Sequence, residues 1–390
     1  MPLRVWYSFP HTLGSPGIGT TALNQVRGLV EAGVDLRVFC TFNSAEPPVG
    51  VAFTETLRIA GRRVPHRALG VARAYRWHDR EVARALRRTP TPPDVVHAWP
   101  GGCLLTFAAA RRAGVVSLRE APSPHTAAAF ERASRAAADL GLEVPRGHSH
   151  RDDPQRLATE NAEFDASDFV LAPSDYVVRT FVERGHAPHR LLRHRYGFDP
   201  AAFPAPPARE PERPFTVAFV GRGEPNKGLH DALRAFVDAG LSGVGRFLVC
   251  GRIQPDYRTV IADLLDKAGA EELGFVTDIG AVLRGVDVLV LPTVTEGSAL
   301  VVFEAMASGA VPVISDAAGA PVDHGADGLI HRAGDVAALT GDLAALAADP
   351  ARLAAMRARA LARRDELTWR SAGGDLRSAY RTALSVAEAG

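Results

Sequence analysis

The sequence predicts an α/β protein of two Rossmann-like domains, each a parallel sheet with helices on both faces. Three observations predict it. Short apolar runs alternate with helical patterns of about 10 to 15 residues along the chain. A glycine-rich loop follows the first strand of each half, at 14–19 and again at 221–228. Between the halves, residues 200–214 are dense in proline, which suits neither a helix interior nor a central strand, and the pattern restarts after them.

The elements follow in order. A strand at 5–9 leads into the loop 14–19, and Thr20 or Thr21 is placed to cap a helix that runs to Ala32. Gly33 ends that helix, and 36–40 is the next strand. Further strands are expected at 95–97, 114–118 and 169–172. After the proline-rich stretch come strands at 215–220, 246–250, 286–291 and 311–314, several of them continuous apolar runs of the kind buried on both faces. The tail 368–386 has an amphipathic helical pattern. The expected organisation is a first domain at 1–203, a linker at 204–214, a second domain at 215–367, and a C-terminal helix at 368–390 that returns to the first domain.

Composition narrows the function classes. The chain has 390 residues, enough for two domains of roughly 150 to 200 residues each. Hydrophobic residues are 46% and charged residues 23%, an ordinary globular balance. A net charge of +1 argues against bulk nucleic-acid binding. That balance hides a net of +6 over 1–205 against −5 over 206–390, which suggests two domains with different ligands. No apolar run is long enough to span a membrane, and the first residues lack a signal-peptide pattern, so a cytoplasmic protein is expected. Cys40, Cys103 and Cys250 have no metal or redox spacing and read as buried thiols.

Chemistry concentrates after strands, where open parallel sheets bind ligands. The second half carries Gly221-Arg222-Gly-Glu-Pro-Asn-Lys227-Gly228 at the end of its first strand. Backbone amides with a forked Arg and a compact Lys suit a diphosphate. The chain has 43 arginines and only two lysines, so Lys227 stands where arginine is otherwise the rule. Downstream, a buried strand ends at Leu291, Glu296 and Gly297 sit in the loop, and Ser298 is placed to cap an apolar helix. The first amides of that helix, around Gly297, Ser298, Ala299 and Leu300, suit a phosphate. Glu304 lies within an apolar run, where a carboxylate needs hydrogen-bond donors. The paired hydroxyls of a ribose supply two, and backbone amides or an Arg are the alternative. Glu296 reads either as an acceptor of sugar hydroxyls or as a solvated loop carboxylate.

These residues carry a resemblance. Glu-Gly-(x)6-Glu-Ala-Met-Ala-x-Gly-x-x-Pro-Val from Glu296, with Gly-Arg-x-x-x-x-Lys-Gly upstream, resembles glycosyltransferase family 4 of the GT-B fold, over nearly the whole chain. The resemblance implies two Rossmann-like domains facing a central cleft. It implies a nucleotide-sugar donor, UDP first and GDP next, retention of anomeric configuration, and no metal ion or other cofactor. It assigns Arg222 and Lys227 to the donor diphosphate, Glu304 to the ribose and Glu296 to the donor sugar. A histidine after a first-domain strand is expected near that sugar, and His125 suits the place better than His97. In the first domain, Gly19 is the expected amide beside the donor phosphates, Gly17 and Glu120 are expected on the acceptor side, and His97 reads as a packing or acceptor-side residue, with ordinary loop hydrogen bonding as the alternative for the histidines and Glu120. Gly17 and Gly19 are separated by Ile18, which departs from the paired glycines of the family. Position 22 is Ala and no acid ends the second strand, so a dinucleotide fingerprint is absent. The arginine-rich segment 58–88 reads as a solvated face or as a weak contact with an anionic membrane or a phosphorylated acceptor. The competing functions on this architecture are a nucleotide-sugar epimerase or hydrolase and a non-catalytic binding subunit.

Overall fold

The computed structural model describes residues 2–59, 61–65, 69–207 and 213–389. Part of the expected linker, 208–212, lies outside the described residues, as do 60 and 66–68 of the basic segment.

The first sheet contains β1 (Arg4–Leu13), β2 (Asp35–Asn43) and β3 (Ala52–Glu55). A small antiparallel pair follows, β4 (Arg58–Ile59) with β5 (Arg62–Arg63). The sheet resumes with β6 (Val95–Ala98), β7 (Val116–Glu120), β8 (Phe169–Ala172) and β9 (Leu191–Arg193). Its order is β3-β2-β1-β6-β7-β8-β9, and every pairing is parallel. The second sheet contains β10 (Thr216–Val220), β11 (Arg246–Cys250), β12 (Glu271–Gly274), β13 (Val288–Leu291), β14 (Val311–Ser315) and β15 (Leu329–His331). Its order is β12-β11-β10-β13-β14-β15, again all parallel. Both sheets therefore reverse direction beside their first strand, the topology that opens a crevice at the strand ends. The apolar runs of β8 and β13 are buried on both faces, as parallel strands under helices must be.

The chain forms two compact units. The first comprises Met1–Pro122, Asp153–Tyr196 and Trp369–Gly390; the second comprises Ser123–Asp152 and Gly197–Thr368. The C-terminal helix Trp369–Ala389 thus belongs to the first unit, where Leu376, Ala379, Tyr380 and Ala383 join the core formed by β1, β2 and the helix Ile18–Glu31. The two helices cross at Gly28 and Gly373. A Cβ on Gly373 would lie 2.1 Å from the Gly28 carbonyl oxygen, and one on Gly28 would lie 2.2 Å from that of Trp369. Backbone cannot retreat from a methyl group as a flexible side chain can. Gly373→Ala should therefore force the helices apart and cost about 1–3 kcal/mol, read as a lowered thermal midpoint of the full chain.

Two expectations are corrected here. The first helix begins at Ile18 with Gly17 as its N-cap, not at Thr20 or Thr21. The threonine hydroxyls turn back into the loop instead: Thr20 donates to the Ser15 carbonyl at 3.1 Å and Thr21 to that of Gly17 at 3.4 Å. The boundary of the first domain near 203 also shifts, because Ser123–Asp152 and the stretch from Gly197 group with the second unit. The helix Thr126–Ala138 packs on the 3-10 turn Pro225–Lys227, and His148 bonds Glu224, so contact overrides chain order. The three cysteines are buried and free.

Candidate active site

β10 and β13 are neighbours where the second sheet reverses, so the loops leaving their carboxyl ends lie side by side. The loop after β10 is zipped to the one after β11. Gly221 N–H donates to the Cys250 carbonyl at 2.9 Å, Gly223 N–H to that of Arg252 at 2.9 Å, and Gln254 N–H to that of Gly223 at 2.9 Å. The Arg222 side chain is 63% exposed, whereas that of Glu224 is 1% exposed. The 3-10 turn Pro225–Lys227 then presents Lys227, and Gly228 follows at φ 74 as the N-cap of the helix Leu229–Asp238. A Cβ at Gly228 would lie 2.4 Å from the Pro292 carbonyl oxygen, so only glycine lets the two loops approach this closely.

The loop after β13 is tied to that turn through one carbonyl. Asn226 O accepts from the Thr293 hydroxyl and the Val294 amide, each at 2.9 Å. Those bonds bring Glu296 to Lys227, whose ammonium donates to Oε1 of the carboxylate. Gly297 is buried, and Ser298 Oγ is buried with no hydrogen-bond partner among the described residues. The expected Ser298 cap is corrected: Ala299 is the N-cap of the helix Leu300–Ser308. Its amide donates to the Ala318 carbonyl at 3.0 Å, which holds Ala299 extended and starts the helix one residue later. Among the described residues no side chain caps that helix, whose N-terminus carries the positive end of the helix dipole. Glu304 lies four residues from Leu300, on the same helix face. Its carboxyl makes no hydrogen bond or ion pair among the described residues, and burial raises its pKa to about 7. A carboxylate in that state lacks the donors that its ionised form needs.

The structure brings together Gly221, Arg222, Lys227, Glu296, Gly297, Ser298, Ala299, Leu300 and Glu304 at these two strand ends. Other expected residues lie elsewhere. His125 sits in the second unit, where its Nδ1 caps the helix Thr126–Ala138 by accepting from Ala127 N–H at 3.3 Å. Gly17 and Gly19 lie in the first unit at the start of the helix Ile18–Glu31, and the Gly19 carbonyl accepts from Gly14 N–H at 2.9 Å.

His97, read as a packing or acceptor-side residue, and Glu120, expected on the acceptor side, lie in the first unit. Both are wholly buried there. Glu120 accepts from the Tyr196 hydroxyl at 2.8 Å and lies 3.1 Å from both His97 Nε2 and His194 Nε2. His97 Nδ1 is 2.6 Å from the Tyr380 hydroxyl.

Sequence reasoning passed over Glu224, His148, Gln254, Asn226 and Thr293. An acid between the two cations of the β10 loop was a legible signal for Glu224. His148 had none, since it lies 76 positions away.

This architecture, with its cation-bearing loop and uncapped helix at one switch point, is that of the GT-B glycosyltransferases. Residues 214–349 match the model of "Glycosyl transferases group 1", and residues 16–201 match that of "Glycosyltransferase Family 4". The chain belongs to glycosyltransferase family 4. It is similar to the D-inositol 3-phosphate glycosyltransferase of Mycobacterium ulcerans, 28% identical over 353 residues, with 80% of this chain and 69% of that protein covered. Among solved structures it is similar to sucrose-phosphate synthase of Thermosynechococcus elongatus, with a TM-score of 0.69, 16% identity, and 99% of this chain and all (100%) of that chain covered. It is also similar to Anabaena HepE in complex with UDP-glucose, with a TM-score of 0.65, 15% identity, and 98% of this chain and 100% of that one covered. No helix among the described residues is long and apolar enough to cross a membrane.

Proposed function

We propose that this glycosyltransferase is a retaining, metal-independent enzyme that transfers a hexosyl group from a nucleoside-diphosphate sugar, with UDP as the carrier, to an acceptor hydroxyl. The observation that carries the reading is the placement of Arg222 and Lys227 beside an uncapped helix N-terminus, with Glu304 unpartnered on that helix. The β-phosphate oxygen leaves C1 of the sugar while the acceptor oxygen bonds C1 on the same face. The acceptor proton passes to the departing phosphate. Arg222, Lys227 and the first amides of the helix Leu300–Ser308 stabilise the charge that grows on the leaving group. Glu296 neutralises Lys227. A diphosphate draws the ammonium away and leaves Glu296 to accept from sugar hydroxyls. Glu304 takes the two ribose hydroxyls, which supply its missing donors. The solved HepE complex with UDP-glucose supports the choice of carrier.

The acceptor class follows from weaker support. The M. ulcerans relative is named for an inositol phosphate acceptor. Arg73, Arg76, Arg80, Arg84 and Arg87 are exposed on the helix Val71–Arg88 at spacings of one face, which suits a phosphorylated or lipid-linked acceptor or weak contact with an anionic membrane.

A thermal-shift panel of UDP, GDP, ADP, dTDP and NAD, with and without a chelator, tests the reading. At 100 times its dissociation constant, the correct nucleotide adds about 2.7 kcal/mol of stability. UDP is expected to stabilise the chain equally with chelator present. Stabilisation by NAD alone, or by UDP only when metal is supplied, would sink the proposal.

A further inference from the structure

We infer that Glu224 is a positioning residue for Arg222, held in place by His148, so that diphosphate binding runs through a chain His148–Glu224–Arg222. The inference rests on the phosphate site proposed above. Arg222 reaches outward, and its one ion pair among the described residues is to Glu224, with Nη2 3.3 Å from Oε1. The other carboxylate oxygen is already occupied. Glu224 Oε2 accepts from His148 Nε2 at 3.1 Å and from Gln254 Nε2 at 3.2 Å. Oε1 is buried, makes no hydrogen bond among the described residues, and lies 3.3 Å from the guanidinium.

The support behind Glu224 is itself ordered. His148 Nδ1 accepts from the His150 amide at 3.1 Å, so Nε2 is the ring nitrogen that carries the proton donated to Glu224. Gly223 and Gln254 pin the backbone on either side. Burial pushes the Glu224 carboxyl up, but the His148 hydrogen bond and the charges of Arg222 and Lys227 outweigh it and hold the group below the ordinary carboxylate range. A buried negative charge beside a diphosphate site repels its ligand. It is useful there only if it aims the cations, because a long exposed arginine otherwise loses rotamer freedom on every binding event. The segment Ser123–Asp152 thereby reaches the donor site through His148.

The sign of one substitution separates the readings. If Glu224 only repels, Glu224→Gln tightens anion binding; if it positions Arg222, Glu224→Gln weakens it. UDP, with inorganic pyrophosphate in parallel, would be titrated onto the full chain, Glu224→Gln, Arg222→Ala and the double variant. Glu224→Gln is expected to weaken both probes about tenfold in the wild-type background and to have no further effect on Arg222→Ala, since the two act as one unit. His148→Asn should give a smaller loss in the same direction, and it carries the test should Glu224→Gln fail to fold. Unchanged or tighter binding in Glu224→Gln, or losses that add independently to those of Arg222→Ala, would overturn the inference. Arg222→Ala with wild-type affinity for both probes would overturn the phosphate site itself, and the inference with it.

Discussion

Lys227→Ala is expected to lower turnover of a UDP-sugar by about 10²–10³-fold, roughly 2.7–4 kcal/mol of transition-state stabilisation, while leaving the fold intact. Two effects combine in it. The variant loses a compact cation from the place where charge grows on the leaving phosphate. It also strands Glu296, which Lys227 neutralises and which would now face the diphosphate as a like charge. The fold should survive because the pair is not deeply buried, with the Lys227 side chain 14% and the Glu296 side chain 23% exposed. A partly exposed pair of this kind contributes at most about 1 kcal/mol to stability. Lys227→Arg should recover only part of the activity, since a planar fork cannot replace a point charge at the same spot. Release of UDP from the donor in the presence of an acceptor mixture gives the rate, and a thermal scan confirms the fold. Turnover near that of the wild type would remove Lys227 from the mechanism.

The largest loss of stability is expected from Glu120→Gln, about 3–5 kcal/mol, because it breaks a buried charged network while leaving its partners in place. Stabilities of whole domains are about 5–15 kcal/mol, so this is a large share. Glu120 Oε1 accepts from Tyr196 and is approached by His194, and Oε2 faces His97, which reaches Tyr380 on the C-terminal helix. On the other side Gln25 lies 3.5 Å from Glu120 and accepts from the Tyr7 hydroxyl at 2.7 Å, and Tyr7 in turn accepts from Trp99 at 2.6 Å. The carboxylate thus meets β6, the helix Ile18–Glu31 and the chain after β9 directly, and is linked to β1 through Gln25 and to the C-terminal helix through His97.

The pH dependence of that loss follows from the direction of the shifts. Burial pushes Glu120 up, but His194 and His97 outweigh it and hold the carboxyl far below its ordinary range. Its contribution is therefore complete above the unfolded value of about 4.3 and is lost as pH falls below it. Burial pulls His97 down against the opposing pull of Glu120, so its neutral form also favours the folded state, and acid removes that contribution from about pH 6.5 downward. Denaturant midpoints of the wild type and Glu120→Gln should lie far apart at pH 7, stay apart down to about pH 4, and converge only as the pH falls further toward the lowered pKa of Glu120. Equal midpoints at pH 7 would mean the network is dispensable.

The parts of the site that are legible in the sequence share one property: their chemistry lies within short contiguous segments. Arg222, Lys227 and their glycines occupy one loop, and Glu296 to Glu304 occupy another, so spacing alone exposes them. The central strands β1, β10, β13 and β14 are legible for the same reason, as apolar runs. The edge strands β9, β12 and β15 are not. They are only 3, 4 and 3 residues long, and the polar Glu271-Glu272 of β12 carries no strand signal.

Where reasoning along the chain fails, a distant contact overrides a local preference. Ser298 has the right chemistry for a cap, yet the Ala299 amide is claimed by Ala318 and the helix starts one residue on. His97 and Glu120 stand at strand ends, where ligands usually bind, yet the C-terminal helix and the residues after β9 enclose them. The stretch Ser123–Asp152 follows a first-unit strand in the chain, but its helix packs on the Lys227 turn and its His148 grips Glu224. Order along the chain was sufficient for the two parallel sheets, the loop carrying Arg222 and Lys227, and the acidic pair, because strand periodicity, loop glycines and charge spacing are local properties. Burial, ion-pair partners and unit membership depend on which distant groups meet, and that is settled by packing free energy summed over the folded chain.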